Sequence, residues 1–414
     1  MVKALAAVLA LRQSYHMSET SPPLILPDDK RAGVWVFGLL FFIDSMARAF
    51  STGVLSIQAY DLVGSSQKVS MLAGLTSGSV LIITLLMPMM FGRLRRRWAY
   101  TTGALLLVAG SLALGSFTLS GQIAGAIMRN AGASITSVTL QLYILDHIKK
   151  DDLTRSEPLR LGLSTFAWVV CPYVGVWLYQ TYGALAPQLC AAASALTLLA
   201  VFWYLRLQDT GVLQTGTMQP FNPIANVKHF VSQPRLRLAW LIAFARSGFW
   251  MALFTYGPLL MIEGGMGKIA GGEIISLSQL CLLLSLLFGF AAKRLGLRVV
   301  ITLCFVLICG TSILAGGFGT AAPWAAGGFL LLGAAGASGI DAVGGIAYLR
   351  AVKFHERQRM TAVYRTYLEL SDVLPSLIYM VVLRYADVSI VFVLIGAFAG
   401  FVGLLSWRHL PKTM

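Results

Sequence analysis

Twelve apolar stretches punctuate the chain, at approximately 33–58, 69–91, 99–119, 122–146, 161–182, 185–206, 238–262, 270–292, 298–318, 322–348, 361–384 and 388–407. Each has the roughly 20 residues that a helix needs to cross a bilayer. Inside hydrocarbon a backbone must satisfy its own polar groups, which leaves helices or closed barrels, and runs this long are helices. Of 414 residues, 57% are hydrophobic and 12% charged, about half the ~25% charged fraction of soluble domains. The mean hydropathy is +0.75. The chain therefore reads as an all-α membrane protein with twelve transmembrane helices.

The net charge of +15 raises the question of a nucleic-acid partner. The positions of the basic residues answer it. Of the 32 Lys and Arg, 25 lie in the two terminal segments and in the loops near 93–97, 147–160, 206–237, 293–298 and 350–360. The alternate loops hold three (Lys68, Lys268, Arg384), and four lie inside spans (Arg48, Arg129, Arg246, Arg365). Such a bias marks the cytoplasmic side. It places both termini in the cytoplasm of a plasma (bacterial inner) membrane, and it makes the basicity a topology signal, with no nucleic acid implied.

The first residues, "MVKALAAVLALRQSYH", carry an apolar run of only Ala4–Leu11 and no Ala-x-Ala site, so they read as a cytoplasmic tail, with Met17 an alternative start. The five cysteines (Cys171, Cys190, Cys281, Cys304, Cys309) all fall in apolar runs. They read as small core residues, with neither disulfide nor metal-ligand spacing.

The longest loop, about 207–237, carries Gly211, Gly216, Pro220, Pro223 and Pro234 and reads as a linker, with Asn222-Pro223 placed to start a short surface helix. The resulting organisation is a tail at 1–32, a six-helix bundle at 33–206, the linker at 207–237, a second six-helix bundle at 238–407 and a tail at 408–414. The two bundles resemble each other. "AGAS" occurs at 131–134 and again at 335–338, an offset shared by Gly53 and Gly257 and by Arg155 and Arg359. Pro172 and Pro375 nearly share it. Parallel six-helix repeats are a transporter architecture with the substrate site at their interface.

On these residues the chain resembles the major facilitator superfamily over about 33–407. That family carries a Gly-x-x-x-Asp-Arg-x-Gly-Arg/Lys loop after its second helix, often echoed after the eighth. Here "GRLRRRWAY" at 92–100 supplies Gly92, Arg96 and Arg97, and "GFAAKRLGLR" at 289–298 supplies Gly289, Arg294, Gly296 and Arg298. The family's aspartate is replaced by Arg96 and Lys293. "CPYVGV" at 171–176 is similar to the fifth-helix bend of the drug:proton antiporter branch through Pro172 and Gly175, with Cys171 and Val176 departing from it. "RNAGAS" at 129–134 is similar to that branch's fourth-helix arginine and glycine, the glycine one residue early. The resemblance implies that helices 1, 4, 7 and 10 line a central cavity, with these glycines, prolines and arginines serving conformational change.

Four acids, Asp44, Asp341, Glu369 and Asp372, balance the four basic residues inside spans. Charges at that depth are expensive and are functional candidates. In the implied cavity Asp44 faces Arg129 in one half, and Arg246 faces Asp341 in the other, with Glu369 at the same level. The structural alternative is that they are helix-holding ion pairs, such as Asp44–Arg48 and Arg365–Glu369 at i,i+4. We expect Asp44 to be the proton site, with Arg48 and Arg129 as its modulators, since burial raises a carboxyl pKa and a nearby arginine lowers it. Trp168, Tyr173, Trp177, Phe249, Trp250 and Tyr256 are candidate cavity aromatics, with lipid-facing packing as the alternative. Trp35, Trp98 and Trp407 lie near span ends as interfacial anchors.

"EGGMGKI" at 263–269 lacks the phosphate-loop glycine and Ser/Thr, having Ile262 and Ile269 there. With no ATPase domain, transport would run on an ion gradient or downhill. The expected function is a non-enzymatic secondary active transporter, without cofactor or metal. It would be a monomer in membrane lipid, moving a small-molecule substrate, most simply by efflux through proton antiport. Proton-coupled uptake of a metabolite or metal chelate, and a non-transporting receptor or assembly factor, are the alternatives.

Overall fold

The computed structural model describes residues 34–91, 96–147, 150–204, 223–353 and 356–411. The described chain is helical. The first six long helices are α1 Val34–Val63, α2 Ser66–Phe91, α3 Arg96–Gly115, α4 Leu119–His147, α5 Lys150–Tyr182 and α6 Leu185–Tyr204. A short α7, Pro223–Ser232, follows. The second group is α8 Pro234–Glu263, α9 Gly267–Leu280, α10 Ser285–Leu295, α11 Leu297–Phe318, α12 Pro323–Ala351, α13 Arg357–Tyr364, α14 Thr366–Val382 and α15 Ser389–His409.

Two of the expected spans are each built from two pieces. The turn Cys281–Leu284 is 3-10 helix and joins α9 to α10. Arg365 alone joins α13 to α14. Among the described residues, nine helices are long and apolar enough to cross a membrane. The rods at α4 and α14 fall outside that set; α4 carries Arg129, Asn130 and Gln122, and α14 has 17 residues with Glu369 and Asp372. Several helices outrun their apolar stretch: α5 starts at Lys150, well before the apolar stretch at 161, because hydrogen bonding along a helix does not stop where hydropathy falls.

Successive helices run antiparallel, so one end of the molecule carries the linker and the other carries the turns after α1, α3, α5, α8, α11 and α14. We call these the linker end and the turn end. A continuous core runs through the second helix group, around Phe249, Tyr256, Phe305 and Phe392. The first group is held by smaller clusters, such as Leu40, Tyr100, Leu140, Leu198 and Phe202.

The two "AGAS" copies occupy matching places. A Cβ on Gly132 would lie 2.7 Å from the Gly103 carbonyl oxygen of α3, and one on Gly336 2.9 Å from the Cys304 carbonyl oxygen of α11. Each glycine thus lets the fourth rod of its group lie against the third backbone to backbone.

At the linker end α7 docks beside α13. His229 Nε2 lies 3.2 Å from Glu356 Oε1, and Gln233 Nε2 donates to Glu356 Oε2 at 3.4 Å. Slight desolvation raises the Glu356 carboxyl, but these hydrogen bonds outweigh it and hold its pKa below the usual carboxylate range. Trp98 and Trp407 sit about half exposed near helix ends; Trp98 meets Trp203 edge-on at 5.8 Å.

Candidate functional site: a charged cavity between the helix groups

Asp44 is fully buried on α1. Arg48, one turn on, donates from Nη2 to Asp44 Oδ2 at 2.5 Å, and Thr136 of α4 donates to Asp44 Oδ1 at 3.1 Å. The structure does not bring Arg129 to Asp44. Arg129 donates from Nη2 to the Arg48 carbonyl at 2.5 Å and to Thr52 Oγ1 at 2.8 Å, and from Nη1 to Asn130 Oδ1 at 3.1 Å. The reason is register. Because α4 runs antiparallel to α1, Thr136 is level with Asp44, and Arg129, about two turns earlier on α4, is level with Thr52. Its acceptors are all neutral. Among the described residues no carboxylate contacts Arg129, although its side chain is nearly buried.

Arg48, Thr52, Arg129 and Asn130 border a cavity of about 390 Å³ walled by both helix groups, with Asp44 and Thr136 buried behind them. The first group contributes Arg48, Thr52, Ser56, Gln122, Arg129, Asn130 and Trp168; the second contributes Met251, Phe254, Thr255, Asp372 and Ser376. Arg129 is 10 residues from the turn-end start of α4, and Asp372 is 10 from the turn-end finish of α14. At 1.5 Å per residue both lie ~15 Å from that end, so they share a level on opposite walls. Among the described residues no cation contacts the Asp372 carboxylate. Glu369 precedes it by one turn and is half-buried.

In the second group the structure does bring Arg246 and Asp341 together, through Arg246 Nη1 and Asp341 Oδ1. Trp250 Nε1 donates to Asp341 Oδ2 at 2.9 Å. Arg246 Nη2 donates to the Tyr367 hydroxyl at 3.2 Å, so Tyr367 is the α14 residue that reaches this pair.

The expected cavity aromatics divide. Trp168 lines the cavity and stacks with Phe254 across the two groups, centroids 6.5 Å apart and planes 13° apart. Trp250 extends that wall, 5.5 Å from Phe254. Phe249 and Tyr256 are instead fully buried core residues, Phe249 packed under Gly333 and Tyr256 donating to Ser70 Oγ at 2.7 Å. Tyr173 and Trp177 are about two-fifths exposed on the outer surface of α5. Helix phase decides this: on α8, Met251, Phe254 and Thr255 form the stripe toward the cavity and Phe249 and Tyr256 the opposite one. Sequence alone does not single out Phe254, Gln122 or Asn130; Phe254 lies four residues from Trp250 and Gln122 seven from Arg129, helical spacings that are the available signal, while Asn130 simply adjoins Arg129.

Of the loop motifs, Gly92 and the Arg96 side chain lie outside the described residues, as does Trp35's, and Arg97 is half-buried at the start of α3. In the second copy Gly296 has φ 86°, a left-handed turn between α10 and α11. Arg294 stacks over Phe290 at 4.5 Å and Arg298 over Trp407 at 4.6 Å. Gly289 faces open space. In the fifth-helix motif a Cβ on Gly175 would collide with the Phe50 carbonyl of α1, and Pro172 and Val176 meet Gly53 of α1 and Gly272 of α9. The motif therefore sits where the two groups touch.

At the turn end polar contacts tie the groups together. Lys268 Nζ pairs with Asp61 Oδ2 at 2.6 Å, and the Tyr179 hydroxyl donates to the same oxygen at 2.5 Å. Ser66 Oγ donates to Glu263 Oε1. The Tyr173 amide donates to Ser276 Oγ at 3.0 Å. Pro258 has no N–H for the Phe254 carbonyl, and Ser56 Oγ reaches that carbonyl from α1 at 3.4 Å.

The sequence profile of the Major Facilitator Superfamily matches residues 37–374. No curated protein matches the sequence. The fold is similar to that of solved transporters. One is a POT family transporter in complex with a thioalcohol-conjugated peptide (TM-score 0.74, 12% identity, covering 90% of this chain and 95% of that one). Another is a POT family transporter in complex with 5-aminolevulinic acid (0.71, 13%, 91% and 95%). A third is the nucleoside transporter NupG (0.71, 14%, 91% and 98%). With a cavity shared between two helix groups and a profile match over most of its length, this chain is a transporter fold of the membrane and belongs to the major facilitator superfamily.

Proposed function

We propose that this protein is a proton-coupled secondary transporter that carries a small organic compound through the cavity between its helix groups. The observation that carries the reading is the cavity itself. It is within the ~300–1,000 Å³ of small-molecule sites, both groups supply its walls, and the polar contacts at the turn end can break as the groups rock. The reading takes residues 33–206 and 238–407 as two rocking six-helix domains, joined by 207–237. It takes the linker end, with both termini, as cytoplasmic, which the basic-residue bias supports. The solved structures of similar fold with peptide-derived, 5-aminolevulinic acid and nucleoside names support a small polar organic substrate.

Coupling is assigned to Asp44. Arg48 neutralises it and also borders the cavity, its side chain 24% exposed. A proton on Asp44 discharges the pair and frees Arg48 toward the substrate, so proton and substrate occupancy become linked. Export by antiport is the direction implied by the motifs of α4 and α5. In proteoliposomes incubated with an external pool of small organic compounds, their contents read by mass spectrometry, an antiporter accumulates substrate in an acid lumen and a symporter in an alkaline one. We expect accumulation with an acid lumen. Asp44→Asn keeps the hydrogen bond from Thr136 but holds no exchangeable charge; it is expected to abolish accumulation per folded molecule while leaving gradient-free exchange intact. Normal uphill transport by this variant would remove Asp44 from coupling and move the role to Asp341.

A further inference from the structure

Arg129 and Asp372 are opposite charges on opposite walls of one cavity, and neither has a counter-ion among the described residues. Arg129 is 6% exposed and is satisfied only by neutral acceptors: the Arg48 carbonyl, Thr52 and Asn130. Its Nε has no hydrogen-bond partner. Arg48, the other cation of the wall, is neutralised by Asp44. Among the described residues, the charges facing the cavity without a counter-ion are thus one guanidinium on the first helix group and one carboxylate on the second, at the same depth. An ionised group held in a poorly solvated site without its counter-ion is costly, and a ligand that brings the counter-ion relieves that cost. A single anion would relieve only the Arg129 side, and a single cation only the Asp372 side.

We infer that the transported compound is amphoteric: its acidic group is received by Arg129, with Arg48 beside it, its amine by Asp372, and its body lies against the wall of Trp168, Phe254 and Met251. This rests on the reading of the cavity as the transport site. It also gives the two charges a mechanical use. A molecule bound by both ends links the first helix group to the second, so occupancy itself draws the groups together, whereas a ligand held by one wall does not. Gln122, Asn130, Thr255 and Ser376 line the same space and supply hydrogen bonds to the middle of the molecule.

The test uses matched probes on the full-length protein in detergent and in proteoliposomes. The amphoteric probes are phenylalanine, para-aminomethylbenzoic acid and a phenylalanine-containing dipeptide. Each is paired with its N-acetyl form, which keeps the acid and loses the cation, and with its carboxamide, which keeps the cation and loses the acid. Thermal shift and exchange of the labelled probe are read together. We expect at least one amphoteric probe to bind at least tenfold more tightly than both of its blocked forms. Asp372→Asn is expected to erase the preference for the free amine over the N-acetyl form while keeping the preference for the acid over the amide. Arg129→Gln is expected to do the reverse. Should Arg129→Gln fail to fold, Asp372→Asn alone decides, because its side chain borders open cavity. The inference is overturned if blocked forms bind as well as the amphoteric parents, if no amphoteric probe binds, or if Asp372→Asn leaves amine discrimination intact. Exchange separates the two readings: exchange of blocked probes without amphoteric preference sinks the amphoteric substrate and keeps transport. Amphoteric binding without exchange sinks transport and keeps the binding site.

Discussion

Asp341 accepts from two donors, Arg246 and the Trp250 indole, while Arg246 also reaches Tyr367. The Asp341 and Arg246 side chains are 23% and 18% exposed, so solvent screens the pair in part. Removing either partner is expected to cost about 1–3 kcal/mol, below the 3–5 kcal/mol of a fully buried pair. The Arg246→Met, Asp341→Asn double variant is expected to regain part of that loss. Thermal melting of the singles and the double measures it; strictly additive effects would show that the contact does not hold the helices. This pair was legible in the sequence because two depth counts from the linker end agreed. Asp44–Arg48 was legible for a simpler reason, since i,i+4 neighbours share a helix face whatever the rest of the fold does. Hydropathy puts Arg129 in its helix but does not fix its partner. A depth count of that kind carries an error of about two turns, and here two turns exchange Thr136 for Arg129 as Asp44's neighbour. Hydropathy puts Asp372 inside a span, but which wall it faces depends on the phase of α14 after the joint at Arg365.

At the scale of elements, the repeat was visible as matching letters, and its physical content is the pair of close helix approaches at Gly132 and Gly336. A Cβ at Gly336 has to displace the Cys304 carbonyl of α11 or move α12 away. Gly336→Ala is therefore expected to destabilise the protein by about 1–3 kcal/mol, the usual cost of overpacking, and to lower its melting temperature. Gly345→Ala, on the same helix with nothing within 4 Å, is the control and is expected to melt at or above the parent temperature, since alanine favours helix over glycine. Equal melting of the two variants would show that the approach at Gly336 is slack. The 3-10 turn at Cys281–Leu284 had no such signal. Its residues, Cys-Leu-Leu-Leu, are as apolar as the helix on either side, with neither Gly nor Pro, so hydropathy reads one unbroken span there. The same limit applies to the aromatics: apolarity places Phe249, Trp250 and Tyr256 in one helix, and only the phase of that helix against its neighbours separates core from cavity.

For the whole molecule, the question is what holds this conformation against its alternative. The helix groups are joined at the turn end, and the segment that resembles a phosphate loop supplies much of the fastening. Gly265 and Gly267, at φ 80° and 84°, turn the chain between α8 and α9 so that Glu263 meets Ser66 of α2 while Lys268 meets Asp61 of α1. Tyr179 of α5 closes the cluster, its ring 5.2 Å from the Lys268 ammonium. Lys268 is about a third exposed, and such pairs contribute roughly 0.2–1 kcal/mol. This is small against folding but large against an equilibrium between two conformations of one fold, where 1.4 kcal/mol is a factor of ten. Lys268→Met is thus expected to raise the population open at the turn end by up to about fivefold without changing the melting temperature appreciably. In a background whose native cysteines are replaced, Ser77→Cys places a thiol on the cavity wall, and Ala321→Cys places one at the turn end. A membrane-impermeant maleimide added outside cells is expected to label Ala321→Cys with or without the Lys268 change, which checks that the turn end faces outward. It is expected to label Ser77→Cys slowly, and several times faster once Lys268 is methionine. Labelling of Ala321→Cys only after permeabilisation would invert the topology. An unchanged rate at Ser77→Cys, with Ala321→Cys labelled from outside, would show that the Lys268–Asp61 contact rides on the closure and does not set it.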